Sequence, residues 1–242
     1  MTDSATTAPT APMSLPARMI GVLVSPSATF ANVAAFPRWF GVMAISLLVL
    51  AAANYVFLST PVGQQASLDQ QVAQIEGFGQ TVTDEMYAQM KGRAGFTAAI
   101  TAVSILVVSP IFTAILAALL FGVLSGVLGG QASFKQVFAV LAHTSVLSLL
   151  QGLLVTPLNY ARESLSSATS LTVFLPMLPE GSFLSNFLGA IDLFILWSLT
   201  LTAIGLGVLY RRKTMPIFVA LAAVYVAIAL AIAAVKAALG GS

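Results

Sequence analysis

The chain has 242 residues, of which 58% are hydrophobic and only 7% charged, with a formal net charge of +2 and no cysteine. A soluble domain carries about 25% charged residues, so this composition predicts a membrane protein of one domain. The small positive excess gives no reason to expect nucleic acid as a partner. The lack of Cys excludes disulfides, thiolate nucleophiles and zinc–thiolate sites.

The N-terminal region precedes any segment long enough to cross a membrane. Residues 1–16 are rich in Thr, Ala and Pro, and they are predicted to be a disordered tail rather than a signal peptide. Ser25 and Pro26 predict the cap and first turn of a helix that lies at the membrane interface and ends before the next proline. A plain loop is the alternative. Arg38 and Trp39 predict an interfacial anchor after it.

Five apolar segments predict transmembrane helices, because about 20 apolar residues cross the roughly 30 Å hydrocarbon core. They run over about residues 40–58, 95–130, 136–158, 187–209 and 217–239. The second contains Pro110 but no polar turn, which predicts one long, tilted and kinked helix instead of two short ones. The predicted fold class is therefore all-α, a polytopic membrane helical bundle of five transmembrane helices over residues 17–239.

Two polar loops separate these spans. Residues 59–94 are rich in Gln and predict two helical patches, the second of which starts at a cap near Thr81 or Thr83 and continues into the next span. Residues 159–186 form the other loop, whose apolar middle at residues 171–178 is too short to cross a membrane. The short connection after the second span predicts Ser133 as a helix cap.

The distribution of charge predicts the orientation. With five spans, the flanks on the side of the N-terminus hold six Lys and Arg residues and one acidic residue. The opposite flanks hold four Lys and Arg residues and six acidic residues. Cytoplasmic flanks collect Lys and Arg, and the cluster Arg211–Lys213 lies directly against a span. The prediction is a multi-pass protein of the cell inner membrane with its N-terminus cytoplasmic and its C-terminus external.

Polar residues inside the predicted spans are few. With one His and no Cys, the sequence predicts no metal site, no cofactor and no catalytic residues. Asp192 is the only acid within a predicted span, and counting 1.5 Å per residue brings three other polar residues to its depth. An intramembrane polar layer is therefore predicted from Asp192, Gln151, Asn54 and Thr101. It is either an interhelical hydrogen-bond set or an ion or proton site.

Two further features lie within the spans. His143, in the third, is interpreted as a neutral side chain that is bonded to a neighbouring helix or extends to the interface, with a proton relay as the alternative. Gly122, Gly126 and Gly130 repeat at four-residue spacing in the second. Such a stripe of small residues allows close helix packing, either inside the monomer or in a homo-oligomer.

The order of several short motifs resembles the membrane domain of the Ypt/Rab-interacting protein family, the YIP domain, in its bacterial branch. The resemblance covers about Ala17 to Leu239. The stretches that carry it are Ser25-Pro26 with Thr29-Phe30, Arg38-Trp39, the Gln-rich segment Gln64 to Lys91, Gly129-Gly130 with Ser133-Phe134 and Gln136, and Asp192-Leu193-Phe194 with Trp197.

The resemblance implies a five-span fold with a cytosolic N-terminus and offers no catalytic residues. Eukaryotic members are linked to small GTPases, but the short tail of this chain argues against a GTPase partner. The sequence thus favours a non-enzymatic scaffolding or membrane-organising protein whose partners are membrane lipids and a further protein or a second copy. The alternative is a channel or small-solute transporter that uses the polar layer around Asp192.

Overall fold

The computed structural model describes Pro9 and residues 11–129, 131–179 and 181–240. Within these ranges the chain forms ten α-helices and one 3-10 turn, and it contains no strand. The helices are α1 (Leu15–Val24), α2 (Pro26–Ala35), α3 (Phe40–Leu58), α4 (Pro61–Glu76), α5 (Asp84–Leu128), α6 (Phe134–Thr144), α7 (Val146–Arg162), α8 (Phe183–Gly189), α9 (Leu193–Leu209) and α10 (Thr214–Gly240). The architecture is the predicted all-α membrane helical bundle.

Four stretches of helix in the described ranges are long and apolar enough to cross a membrane. They are Phe40–Leu58, Asp84–Val127, Phe134–Arg162 and Thr214–Leu239. The first has the predicted bounds, and the second is the single long helix that was predicted, with Pro110 inside it. Its 45 residues correspond to about 68 Å, so its ends extend beyond a hydrocarbon core of about 30 Å.

The predicted fourth span is shorter in the structure. The helix expected from residue 187 is interrupted, because α8 ends at Gly189 and α9 begins only at Leu193. Asp192 causes the new start, since its carboxylate accepts hydrogen bonds from the first amides of α9, the usual role of an Asp at an N-cap. The 17 residues of α9 correspond to about 25 Å.

The third span consists of α6 and α7, which meet at Ser145. Its start agrees with the predicted cap. The Ser133 hydroxyl accepts from the Gln136 amide at 3.3 Å, and the Gln136 side chain accepts from the Ser133 amide at 2.8 Å. This reciprocal capping box fixes the start of α6 at Phe134.

The N-terminal region contains a helix that the sequence did not predict. Residues 1–8 and 10 of the predicted tail lie outside the described residues, but α1 begins at Leu15, within that predicted tail. The Ser14 hydroxyl caps α1 by accepting from the Ala17 amide at 3.4 Å. Asn32 holds the chain before it, since its side chain accepts from the Met13 amide at 3.0 Å and donates to the Ala11 carbonyl at 2.8 Å.

The second N-terminal helix, α2, confirms the helix predicted after Ser25 and excludes the loop alternative. Its cap differs from the prediction, because the Ser25 side chain makes no capping hydrogen bond. Instead the Ser25 carbonyl accepts from the amide and the hydroxyl of Thr29, at 3.1 Å and 3.0 Å. In the loop over residues 59–94, α4 is the first predicted patch, and the Thr83 hydroxyl accepts from Met86 at the predicted start of α5.

The chain divides into two compact units, which are described separately. The first comprises the described parts of Met1–Ser46, Val108–Leu147 and Ser198–Ala220. Its core brings α1, α2, α6 and α9 together through side chains that are fully or almost fully buried: Val22, Phe30, Val33, Val137, Val140, Leu201 and Leu206. The hairpin of α1 and α2 is therefore a packed part of this unit.

The second unit comprises the described parts of Leu47–Val107, Ser148–Trp197 and Leu221–Ser242. Phe57, Leu58, Ala66 and Ala98 form a buried cluster there, with Val62 and Leu165 packed against it. The cluster joins the end of α3 to α4 and α5, and it brings in the loop that follows α7.

Candidate functional site

Asp192 is the centre of a buried polar cluster in the second unit. Its side chain is only 7% exposed. One carboxylate oxygen, Oδ1, accepts from the Phe194 amide at 2.8 Å and the Ile195 amide at 3.3 Å. Because the first amides of a helix lack partners within the helix and carry partial positive charge, a carboxylate at this position stabilises α9.

The other carboxylate oxygen of Asp192, Oδ2, binds the loop that follows α7. It accepts from the Ser167 hydroxyl at 2.7 Å and the Thr169 hydroxyl at 2.5 Å. Backbone hydrogen bonds next to it, from Leu171 to Ile191 and from Leu193 to Thr169, form an isolated antiparallel bridge between Ser170 and Asp192. Four donors therefore satisfy the ionised carboxylate and fix the loop against the start of α9.

Tyr225 of α10 completes this cluster. Its hydroxyl donates to the Ala190 carbonyl at 2.7 Å and accepts from the Asp192 amide at 3.0 Å. One phenol thus satisfies two backbone groups in the bend between α8 and α9. We call Asp192, Ser167, Thr169 and Tyr225 the Asp192 cluster.

The partners of Asp192 differ from the predicted polar layer. In the described part of the chain, no hydrogen bond of Asp192 goes to Asn54, Gln151 or Thr101, and the Asn54 amide donates to the Leu50 carbonyl of its own helix at 2.9 Å. The reason is the position of Asp192, which caps α9 rather than lying inside a helix. The side chain of an N-cap residue accepts hydrogen bonds from the first amides of its own helix, and here it also lies beside the adjoining loop.

A cavity of about 360 Å³ adjoins the Asp192 cluster. Serine and threonine side chains line one part of it, but several of these hydroxyl groups already donate within the chain. Ser167 donates to Asp192, Ser170 to the Ser167 carbonyl at 3.3 Å, and Thr172 to the Ser185 carbonyl at 3.3 Å. These hydroxyls therefore serve mainly to order the loop.

Gly122 and Gly126, two members of the predicted glycine stripe, do not pack against another part of the described chain. Gly122 and Gly126 are exposed, and a Cβ added to either would meet no atom within 4 Å. Gly130 lies outside the described residues. Packing of this face inside the monomer, one of the two predicted roles, is therefore not observed for Gly122 and Gly126.

Close helix packing occurs instead at Gly205 of α9. A Cβ there would lie 2.5 Å from Val140 Cγ1 and 3.1 Å from the Phe30 ring. Real Cβ contacts are not this short, so only glycine allows α2 and α6 to approach α9 so closely. Gln136 of α6 adds a hydrogen bond to α2 by donating to the Ala34 carbonyl at 2.8 Å.

A second buried polar group joins α1 to α6. Arg18 is 6% exposed and His143 is 0% exposed. The His143 Nδ1 lies 2.7 Å from the Ala139 carbonyl, and its Nε2 lies 3.3 Å from Arg18 Nη1. A carbonyl can only accept and a guanidinium only donate, so the ring carries its hydrogen on Nδ1 and is neutral, with an Arg from a neighbouring helix as its partner.

The same guanidinium donates to the Arg38 carbonyl, while its Nε has no partner among the described residues. Burial, and then the charge of Arg38, lower the pKa of Arg18. Sequence reasoning missed this group because Arg18 fell at the edge of the predicted tail. The partners of Asp192 were missed because they lie on a loop and on α10, although the Ser-rich run over residues 164–170 was a usable signal.

Comparison with known proteins supplies the family. A family model described as the Yip1 domain matches residues 20–235. Neither a curated protein nor a solved structure matches the chain significantly. The match includes all of α2 to α9 and most of α10, and it agrees with the resemblance given by the sequence motifs. The chain therefore belongs to the Yip1-domain family of membrane proteins.

Proposed function

We propose that this protein is a non-enzymatic membrane scaffold whose α1–α2 hairpin lies in one leaflet and organises the lipids there. The proposal rests on one observation, which is that α1 has one buried face and one exposed apolar face. Its inner face, with Arg18, Gly21 and Val22, is buried in the first unit. Its outer face exposes Ile20 and Val24, at 61% and 75%.

An apolar outer face on a short surface helix suits the boundary between headgroups and acyl chains. Helices of this kind bury their apolar side chains about 5–10 Å into that boundary. The hairpin is also bound to the spans, through Gln136 and the close approach at Gly205. Its insertion would therefore add area to one leaflet at a fixed place beside the bundle.

The proposal also covers the branch of the family, the membrane in which the protein lies and its orientation there. We infer a protein of the bacterial branch in the cell inner membrane, with its N-terminus cytoplasmic and its C-terminus external. The Lys and Arg excess on the flanks that include Arg211–Lys213 supports this orientation. The hairpin then lies in the cytoplasmic leaflet.

The exposed side chains of α5 and the hydrogen bonds of Asp192 bear on which partners and activities we propose. The outward apolar side chains of α5, such as Phe96, Phe112 and Leu119, are 61–69% exposed, so they face lipid, a second copy or another membrane protein. A GTPase partner is not proposed. Neither is a channel or transporter that uses Asp192, because four donors within the chain already satisfy that carboxylate.

Reconstitution into vesicles tests the proposed role. The purified full chain should reduce the mean vesicle diameter in proportion to the protein added, measured by electron cryomicroscopy. The double substitution Ile20→Ser with Val24→Ser should remove most of this effect, because it removes apolar surface worth about 1.5–3 kcal/mol per side chain when buried.

The matched control is Val123→Ser with Val127→Ser, at two exposed positions of α5 outside the hairpin. This variant should keep the wild-type effect on diameter. The proposal fails if the wild-type protein leaves vesicle diameter unchanged, or if both double variants lose the effect equally.

A further inference from the structure

Two neighbouring cavities lie between α2, the start of α6 and the end of α9, entirely within the first unit. Their volumes are about 770 Å³ and about 360 Å³. The two share Gln136, Leu209 and Arg211 as lining residues. We call the two cavities together the α2–α9 groove.

The groove has a basic side chain at one end. Arg211 lines both cavities and is exposed, and no acidic residue in the described part of the chain lines either of them. Its backbone is left-handed, with φ of 52°, and it lies two residues after Leu209, where α9 ends. The Arg212 amide closes the last turn of α9 by donating to the Gly207 carbonyl at 2.8 Å, which fixes the point at which the Arg211 side chain leaves the backbone.

The start of α2 adds donors to the same groove. Ser27 and Ala28 line the larger cavity in the first turn of α2. Because the Ser25 side chain does not cap the helix, the amides of these two residues have no acceptor in the described part of the chain. Together with Arg211, they present positive charge and free N–H groups to one volume.

The larger cavity also has an apolar wall. Ala31, Ala34 and Ala35 of α2 face Val208 and Leu209 of α9 across the larger cavity. The small alanine side chains leave space that a larger residue would fill. A ligand that fits this groove needs an anionic group at one end and an apolar body, and it must reach the groove at the edge of the membrane.

We propose that the α2–α9 groove binds the phosphate headgroup of an anionic phospholipid from the leaflet next to Arg211–Lys213. Basic recesses between transmembrane helices are suited to such headgroups. The volume and the apolar wall favour a phospholipid over free phosphate. This inference goes beyond the scaffold role, because lipid binding at this groove does not require that the hairpin alter the membrane.

The test measures lipid retained by the purified full chain in detergent micelles, by native mass spectrometry during titration with phosphatidylglycerol or phosphatidylcholine. The wild-type protein should retain one phosphatidylglycerol in preference to phosphatidylcholine. Arg211→Gln should weaken phosphatidylglycerol binding about fivefold, equivalent to about 1 kcal/mol for one Arg near the headgroups. Ala31→Phe, which fills the groove but keeps every charge, should weaken it to a similar extent.

Arg38→Gln is the matched control, because Arg38 is an exposed Arg of the same unit that does not line the groove. It should bind phosphatidylglycerol as the wild type does. An equal loss in Arg38→Gln would overturn the proposal in favour of general surface charge, as would wild-type binding by both Arg211→Gln and Ala31→Phe. Displacement of the lipid by millimolar inorganic phosphate would identify a free-anion site instead.

Discussion

Asp192→Ala should lower the free energy of unfolding by about 2–4 kcal/mol, because it removes an N-cap and two charge-assisted hydrogen bonds to the loop. The carboxylate accepts from Phe194, Ile195, Ser167 and Thr169. Without it, the first amides of α9 and both hydroxyls lose their acceptor at a site that is almost inaccessible to water. The loss is measurable as a lower thermal midpoint in mild detergent.

Two variants make this test specific. Asp192→Asn should recover most of the stability, since its amide oxygen can still cap α9 and its NH₂ can donate to the loop hydroxyls. Asp69→Ala is the control, because Asp69 is exposed on α4 and its side chain accepts only from Gln65 among the described residues, so its effect should stay within about 0.5 kcal/mol. Equal stability of Asp192→Ala and Asp69→Ala would contradict the structural role of the Asp192 cluster.

Gly205→Ala should destabilise the protein by about 1–3 kcal/mol through overpacking. The new methyl group would lie 2.5 Å from Val140 Cγ1 and 3.1 Å from the Phe30 ring. Both neighbours are fully buried, so neither can move without disturbing the contacts of α2 or α6. The same methyl group in an open helix would be favourable, since Ala is a better helix former than Gly.

Gly126→Ala provides that comparison, because a Cβ at Gly126 meets no atom within 4 Å. Its thermal midpoint should equal or slightly exceed that of the wild type, while the midpoint of Gly205→Ala falls. If Gly205→Ala melts at the wild-type temperature, α9 does not pack against α2 and α6 as described. A destabilised Gly126→Ala with altered oligomeric state would show that this face of α5 contacts a second copy.

The contrast between these glycines shows what the sequence could and could not predict. Spacing identified Gly122 and Gly126 as one face of small residues, but spacing does not say what covers that face. Gly205 belongs to no such repeat, and its importance arises from the neighbours that α2 and α6 place against it. Long-range packing of this kind has no local signal.

The helices themselves were predicted well where composition alone defines them. The bounds of α3 and the continuity of α5 through Pro110 follow from long apolar segments without a polar interruption. The predicted start of the fourth span, residue 187, was wrong because residues 187–191 are as apolar as the helix that follows. The observed start of α9 depends on the capping role of Asp192. The helix α1 was missed because Asn32, distant in sequence, holds the segment before it.

The depth calculation did not identify the hydrogen-bond partners of Asp192, for a related reason. It compared only residues within predicted spans, and therefore selected Asn54, Gln151 and Thr101. The observed partners include Ser167 and Thr169 on a loop that folds back to the start of α9. Helical rise gives the level of a residue in a straight span, but it gives no position for a loop residue.

We propose a five-span scaffold in which the short α9 crosses the membrane and the hairpin side is cytoplasmic. Because the chain has no Cys, single cysteines can be introduced at Glu163, before α9, and at Lys213, after it. Both side chains are exposed. In intact cells, a membrane-impermeant thiol reagent should label Glu163→Cys, and it should label Lys213→Cys only after permeabilisation. Labelling of both positions from the same side would show that α9 does not cross, and the reverse pattern would contradict the cytoplasmic hairpin.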